Sequence, residues 1–372
     1  MNEYFINNAT DTIPSNNTTN VIRNSKAIDY HRSLSVYQST PLVSLNGLAR
    51  KYNVGNIFVK DESYRFGLNA FKGLGASYAI HKILQDNPDI TTFCTATDGN
   101  HGRAVAWASR LAGKKVVVFV PKDTVESRIK AIESEGAVVI NTDLHYDETC
   151  EIARATSLKE GWQLVQDTAW KDYEEIPALI KAGYQTHFQE LEPEIHSLPN
   201  PKIDLVFLQA GVGSWAASAI WYYLNRYGKN RPKIVVVEPN EAAGILASFE
   251  AGKRVSPDGT FKTIMAGLNC GIPSSSSWDI IKSGTDITIK IKDEFAEQAI
   301  RELYYPNGDD QRIVAGESGV GGLAGFIALM TNPDMQILRD TLGITTHTNV
   351  LFYNTEGATD PINFNKIISS KP

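Results

Sequence analysis

The sequence predicts an α/β protein built on open, mostly parallel sheets, and three observations carry that prediction. From about residue 55 onward, short β-branched runs alternate with longer amphipathic runs, the order that βαβ units produce. Several short runs are apolar at nearly every position, as in Lys115-Val-Val-Val-Phe-Val120. A strand apolar on both faces belongs in a parallel sheet covered by helices. The 372 residues, 42% hydrophobic and 21% charged, are ample for two domains or one large α/β domain with a subdomain.

The elements follow in order. Residues 1–25, rich in Asn, Thr and Ser, read as a loose polar lead-in. They lack a basic start followed by an apolar run, so they do not read as a signal peptide. Strands are expected at 57–60, 92–96, 116–120, 137–141, 163–166, 205–209, 234–238, 286–291 and 349–353. Helical patterns lie between most of them, at 76–84, 104–112, 127–135, 176–191, 216–227 and 294–304. The Pro/Glu/Asn-rich stretch 192–201 is the best candidate boundary.

Composition narrows the function classes. With 36 Lys+Arg against 42 Asp+Glu, the net charge of −6 argues against nucleic acid or an anionic membrane as a main partner. No apolar run is long enough to span a bilayer. Cys94, Cys150 and Cys270 are widely spaced and form no C-x-x-C pair, which disfavours a disulfide framework or a metal cluster and fits a reducing, cytoplasmic compartment.

Five segments could carry chemistry. In Phe66-Gly-Leu-Asn-Ala-Phe-Lys72-Gly-Leu-Gly75 a single cation sits in an apolar setting near an expected helix start. The positive helix end and desolvation both lower a lysine pKa there, and a neutral amine is what a Schiff base needs. The competing reading is a snorkelling surface lysine. In Thr95-Ala-Thr-Asp-Gly-Asn-His-Gly102, a strand end opens a helix and gathers Asp98, Asn100 and His101. These are acid/base and hydrogen-bonding groups, or else an ordinary Asp-Gly turn.

Leu205-Val-Phe-Leu-Gln-Ala-Gly211-Val-Gly213-Ser-Trp-Ala216 is strand, glycine turn and helix start, a cradle for an anion and most often a phosphate. With Glu238 at the end of the next strand it also reads as a dinucleotide fingerprint, so a nicotinamide or flavin enzyme competes. Gly316-Glu-Ser-Gly-Val-Gly-Gly322 reads first as close packing through glycines. The last run, Val350-Leu-Phe-Tyr-Asn-Thr-Glu-Gly357, places Thr355 and Glu356 at a strand's carboxyl end, where parallel sheets bind ligands; a plain turn fits equally.

Together, and in this order, these motifs resemble the fold-type II pyridoxal phosphate enzymes, the superfamily of tryptophan synthase β and threonine deaminase. The likeness is closer to the diaminopropionate ammonia-lyase family. It rests on Val59-Lys-Asp-Glu-Ser63, Arg65-Phe-Gly-Leu-Asn-Ala-Phe-Lys72, Thr97-Asp-Gly-Asn-His-Gly-Arg103, Gln166-Asp-Thr-Ala-Trp170, Ile264-Met-Ala-Gly-Leu268, Gly316-Glu-Ser-Gly319 and Asn354-Thr-Glu-Gly357, spanning about residues 30–360. The resemblance implies two α/β domains, 26–75 with 192–372 and 76–191, with pyridoxal 5'-phosphate in the cleft between them.

Residue by residue, the resemblance implies Lys72 as the Schiff-base lysine and Gly211, Val212, Gly213 and Ser214 as the phosphate loop. It implies Asn100 as partner of the cofactor's 3′-oxygen and Thr355 as partner of the pyridine nitrogen. Thr97, Asp98, His101 and Asp167 become substrate-side groups, with Lys72, Asp98 and Asp167 catalytic. The position of Asp98 is small and neutral in ordinary serine and threonine deaminases; an anion there suits a substrate with a second ammonium. Trp215 is bulkier than the pattern leads one to expect, and the stretch 84–91 is shorter.

The implied reaction is α,β-elimination of 2,3-diaminopropionate, of the L and D isomers, to pyruvate and two ammonia. Lys72 is the expected base for the L isomer and Asp98 for the D isomer. A homodimer is expected. A serine/threonine-type deaminase, a related diamino acid lyase or a β-replacement synthase of the same fold stays open at this point, as does the nicotinamide-dependent oxidoreductase.

Overall fold

A computed structural model describes residues 3–97, 99–122, 124–198 and 201–370. Its strands are β1 (Tyr4–Ile6), β2 (Leu42–Ser44), β3 (Asn56–Asp61), β4 (Thr92–Ala96), β5 (Lys115–Val120), β6 (Val138–Asn141), β7 (Gln163–Leu164), β8 (Leu205–Gln209), β9 (Lys233–Pro239), β10 (Ile287–Ile291) and β11 (Asn349–Asn354). They form a seven-stranded sheet in the order β1-β10-β9-β8-β11-β3-β2 and a four-stranded sheet in the order β6-β5-β4-β7.

The small sheet is parallel throughout. The large one is parallel except at its edges, where β1 and β2 run antiparallel to β10 and β3. Its central strands β8 and β11 are buried at every residue. That burial is why Leu205–Leu208 and Val350–Tyr353 show no alternation of apolar and polar residues, the polar Gln209, Asn349 and Asn354 falling at the strand ends.

All nine expected strands are present, with ends moved by a residue or two. The expected 163–166 shortens to β7 because the Gln166 backbone N–H donates to the Tyr173 hydroxyl at 2.8 Å instead of to a ladder partner. Two strands, β1 and β2, were not foreseen: three-residue edges are too short to show a period.

The lead-in is tied down rather than loose. Besides the pairing of β1, Asn16 caps the helix Asn17–Arg23, its side chain accepting from the Thr19 N–H at 3.0 Å. Ile22 is buried, and Phe5 stacks on Phe249 with ring centroids 5.4 Å apart.

The helix Glu175–His196 runs through Pro193 into the stretch read as a boundary. Proline there removes only one backbone donor, and the Glu194 side chain is held by Lys60 on the large sheet, with Nζ–O distances of 3.0 and 3.2 Å. The same helix packs against the helices Lys72–Asp86, Asn17–Arg23 and Ser214–Tyr227.

A buried ionic knot fastens it to the turn that precedes Lys72. Arg65 donates to both oxygens of Glu190 at 2.9 and 2.7 Å and to both oxygens of Glu62 at 2.8 Å. Burial raises the Glu62 pKa, but Arg65 and His187 more than offset it and hold the carboxyl well below its ordinary range.

Candidate active site

The carboxyl ends of β3, β8 and β11 in one sheet, and of β4 and β7 in the other, lead into the segments that hold the sequence-predicted residues. Lys72 is the first residue of the helix Lys72–Asp86. Its approach is pinned to the end of β11: the Phe71 N–H donates to the Thr355 carbonyl at 3.1 Å, and Ala70 bridges Glu356.

The Lys72 Nζ lies 2.5 Å from Asp167 Oδ2. Burial acts to lower the lysine pKa, but the Asp167 carboxylate outweighs it, so the amine is held above its ordinary value. The expectation of a lowered pKa from helix end and desolvation is therefore corrected for this geometry. An ion pair across the cleft is a stronger influence than either. Asp167 responds in the opposite sense: burial raises its pKa, and Lys72 and then His101 pull it well below the carboxylate range.

Asp167 is held at its backbone, where its carbonyl accepts from Ser214 Oγ at 2.8 Å. His101 lies behind it. The ring Nε2 donates to the Val165 carbonyl at 2.9 Å, which leaves Nδ1 as the unprotonated nitrogen of the neutral ring. That Nδ1 is buried, 3.8 Å from Asp167 Oδ2, with no hydrogen-bond partner. Burial pushes the His101 pKa down, so the ring is neutral at physiological pH.

Thr97 closes the end of β4. Its N–H donates to the Phe119 carbonyl at 3.0 Å and its hydroxyl accepts from the Gly99 N–H at 3.0 Å. Asp98 lies outside the described residues. The helix expected from 104 begins earlier, at Asn100, with Gly99 as its cap. The Asn100 amide donates to the Glu356 carboxylate, which also accepts from the Ser318 N–H at 3.1 Å. Asn100 thus joins the 95–102 turn to the end of β11. A cleft lined by Asn69, Asn100, Arg103, Ser127, Arg128 and Thr359 opens beside it.

The loop after β8 runs through Gly211, Val212 and Gly213 into the helix Ser214–Tyr227. Gly213 has φ +83°, and a Cβ there would lie 2.5 Å from Ile281 Cδ1. A Cβ on Gly211 would lie 2.8 Å from Cys270 Sγ. The loop therefore presents backbone rather than side chain at a helix start, where N–H groups lack intrahelical acceptors. Trp215 does not disturb it. Its ring turns into an aromatic cluster with Phe71, His187, Phe188 and Tyr353, and its Nε1 donates to His187 Nε2 at 3.0 Å.

The dinucleotide reading fails on Glu238. Its two carboxylate oxygens accept from the Ile245 and Leu246 N–H groups at 2.7 and 2.8 Å, capping the helix Gly244–Ala251 inside the core. Burial pushes its pKa up to about 8. Fully enclosed, it is not available to a ribose hydroxyl. The glycines of 316–322 serve packing, as first read: a Cβ on Gly319 would lie 2.3 Å from the Glu356 carbonyl oxygen.

Thr355 is buried at the end of β11, its hydroxyl accepting from Gln209 Nε2 at 2.9 Å. Gln209 is a residue that sequence reasoning passed over, although its place at a strand end beside the glycine loop could have flagged it. Lys181 was also missed. It is fully buried, bonds Ser276 Oγ at 2.8 Å, and burial lowers its pKa to about 7. Nothing in a helical 3.6-residue pattern marks such a lysine as enclosed.

Among the described residues no group of three or more His, Cys, Asp or Glu is placed to hold a metal, and no helix is long and apolar enough to cross a membrane.

Comparison with known proteins adds an independent line. Residues 34–336 match the pyridoxal-phosphate dependent enzyme family. The chain is 39% identical over 367 residues to a diaminopropionate ammonia-lyase of Salmonella typhimurium, covering 92% of this chain and 91% of that one. The crystal structure of the Escherichia coli diaminopropionate ammonia-lyase with an aminoacrylate-PLP azomethine reaction intermediate superposes with a TM-score of 0.90 at 36% identity, covering 98% and 96% of the two chains. A threonine deaminase from Solanum lycopersicum shares the fold, with a TM-score of 0.79 at 21% identity, over 99% and 96%.

Proposed function

The chain belongs to the pyridoxal-phosphate dependent enzymes and, within them, to the diaminopropionate ammonia-lyase family, and on that premise we propose that it converts 2,3-diaminopropionate and water to pyruvate and two ammonia by α,β-elimination. The observation that carries the reading is the Lys72–Asp167 pair set beside the Gly211–Ser214 backbone cradle. The fold is that of fold-type II.

The residues present fit pyridoxal 5'-phosphate. Gly211, Val212, Gly213 and Ser214 offer a helix N-terminus with no Cβ at two positions, which suits a phosphate. Lys72 is the amine that would hold the cofactor, Asn100 the amide for its 3′-oxygen, and Thr355 the hydroxyl for its ring nitrogen. The cofactor supplies an electron sink for the bond broken at Cα.

The chain's own groups do the rest. When the substrate amine displaces Lys72, the released amine takes the Cα proton of the L isomer. Asp98 takes the proton of the D isomer from the other face and orients the distal ammonium. Asp167, fixed by Ser214 and backed by a neutral His101, adds a second carboxylate for that ammonium. Thr97 and His101 complete the substrate side. Asp167 and the neutral His101 are buried and Lys72 is only part-exposed, so the Lys72–Asp167 charge pair is screened less than it would be in open water.

We read residues 26–75 with 192–372 as the cofactor domain, whose sheet β1 of the segment 1–25 joins at its edge, and 76–191 as the smaller one. We further read the protein as a cytoplasmic homodimer with a small-molecule substrate. Product release from L- and D-diaminopropionate, L- and D-serine and threonine tests the reaction. Two ammonia per pyruvate from diaminopropionate, at a kcat/KM above that of serine, supports it. Preference for serine or threonine, at one ammonia per keto acid, would make the chain a deaminase of the same fold.

A further inference from the structure

The Gln209 amide is fixed in one orientation by four neighbours. Its Nε2 lies 3.0 Å from the Gly319 carbonyl, 2.9 Å from the Tyr353 carbonyl and 2.9 Å from Thr355 Oγ1. Its Oε1 accepts from the Gly322 N–H at 3.2 Å. The flipped amide would set its oxygen against two carbonyl oxygens and its NH₂ against an N–H, so the assignment follows from the partners alone. Both Gln209 and Thr355 are buried.

The NH₂ carries two hydrogens and faces three acceptors; because an amide NH₂ donates and does not accept, the threonine hydroxyl is the acceptor in its contact with Gln209. Its own hydrogen cannot point back at Gln209 and is left to be donated elsewhere. Accepting one hydrogen bond also polarises the hydroxyl and makes it a better donor.

We propose that Gln209 is a positioning residue: it holds the Thr355 hydroxyl as a donor toward the cofactor's ring nitrogen and so keeps that nitrogen unprotonated. The inference rests on the reading that Thr355 faces the ring nitrogen. A nitrogen that accepts from a hydroxyl uses its lone pair and carries no proton. An acceptor at position 209 would take the hydroxyl hydrogen instead and present an oxygen lone pair to the ring, which favours a protonated nitrogen.

The test is the ¹⁵N resonance of the ring nitrogen in holoenzyme loaded with ¹⁵N-labelled pyridoxal 5'-phosphate. The wild type is expected in the range of an unprotonated, hydrogen-bonded pyridine. Thr355→Val should move the resonance toward that of a pyridine without a hydrogen bond. Gln209→Met should move it the same way by less, and adding Gln209→Met to Thr355→Val should change nothing further. A shift with Thr355→Val but none with Gln209→Met overturns the role of Gln209 and leaves the site reading standing. No shift with Thr355→Val overturns the placement of Thr355, and the role of Gln209 with it.

Gln209→Met also strips partners from Gly319, Gly322 and Tyr353, so it could fail to fold. Neutron diffraction of the deuterium-exchanged wild-type holoenzyme needs no variant. Deuterium on Thr355 Oγ directed at the ring nitrogen, with a Gln209 deuteron directed at Oγ, supports the proposal. Deuterium on the ring nitrogen, or both Gln209 deuterons directed only at the two carbonyls, overturns it.

Discussion

Lys72 and Asp167 face each other at 2.5 Å across the cleft between the two sheets. Lys72 opens a helix next to β11 of the large sheet, and Asp167 follows β7 of the small one. The pair makes the state of the lysine depend on a residue 95 positions away. With Asp167 beside it the amine is charged; a group that draws Asp167 away, such as a substrate ammonium, returns the lysine to the influence of burial, which favours the neutral form.

Asp167→Asn is therefore expected to lower the Lys72 pKa, because the opposing burial remains. Capture of the cofactor by Lys72, trapped with borohydride and followed against pH, should then reach its plateau at lower pH than in wild type. An unchanged profile would show that Asp167 does not control the amine. Lys72→Ala should form no borohydride-reducible lysine adduct with the cofactor, lose the visible absorbance that such an adduct gives, and lose at least the ~10²–10⁴-fold in rate that a positioned base supplies.

Gly213→Ala places a left-handed backbone on a residue with a Cβ, at about 1–2 kcal/mol, and presses that carbon on Ile281. We expect a lower Tm and weaker cofactor retention. Gly213→Asp adds a negative charge to the same distortion. Cofactor affinity in the Asp variant should fall well below that of the Ala variant at equal stability. Equal affinities would mean that no anion binds at this helix start.

Lys181 predicts a pH-dependent stability. Burial drops its folded pKa from 10.5 to about 7. Between those values the unfolded chain binds a proton that the native protein does not, so this lysine's contribution makes stability rise with pH. Below about pH 7 the buried cation imposes its full cost of a few kcal/mol; above about pH 10 the cost is gone. Lys181→Met should raise Tm more at pH 6 than at pH 9.5. A gain independent of pH would assign the effect to packing alone.

Asp98→Asn separates the two faces of the reaction. It keeps shape and hydrogen bonding and removes basicity. D-diaminopropionate turnover should fall by ~10²–10⁴-fold, and L-diaminopropionate turnover by less, because Lys72 serves the other face. An Asp98 that serves only as a structural turn would give equal losses of kcat/KM for both isomers, measured on one preparation.

The sequence by itself determined the α/β class, the parallel core strands, the lysine segment, the glycine loop and the family resemblance. Each is written in a short contiguous stretch, as in 66–75 or 205–216. Local periodicity and local backbone demands are properties that neighbours along the chain decide. Only the tertiary structure decided what the titratable and hydrogen-bonding groups became. Glu238 changed from a candidate ribose ligand to a buried helix cap, Lys181 became an enclosed amine, and Lys72 gained a partner that reversed the sign of its expected shift. Gln209 and Thr355, 146 residues apart, came to share a hydrogen bond. Burial and Coulomb interactions depend on distance in space, and that distance is set by packing two sheets against shared helices, which no local pattern of residues encodes.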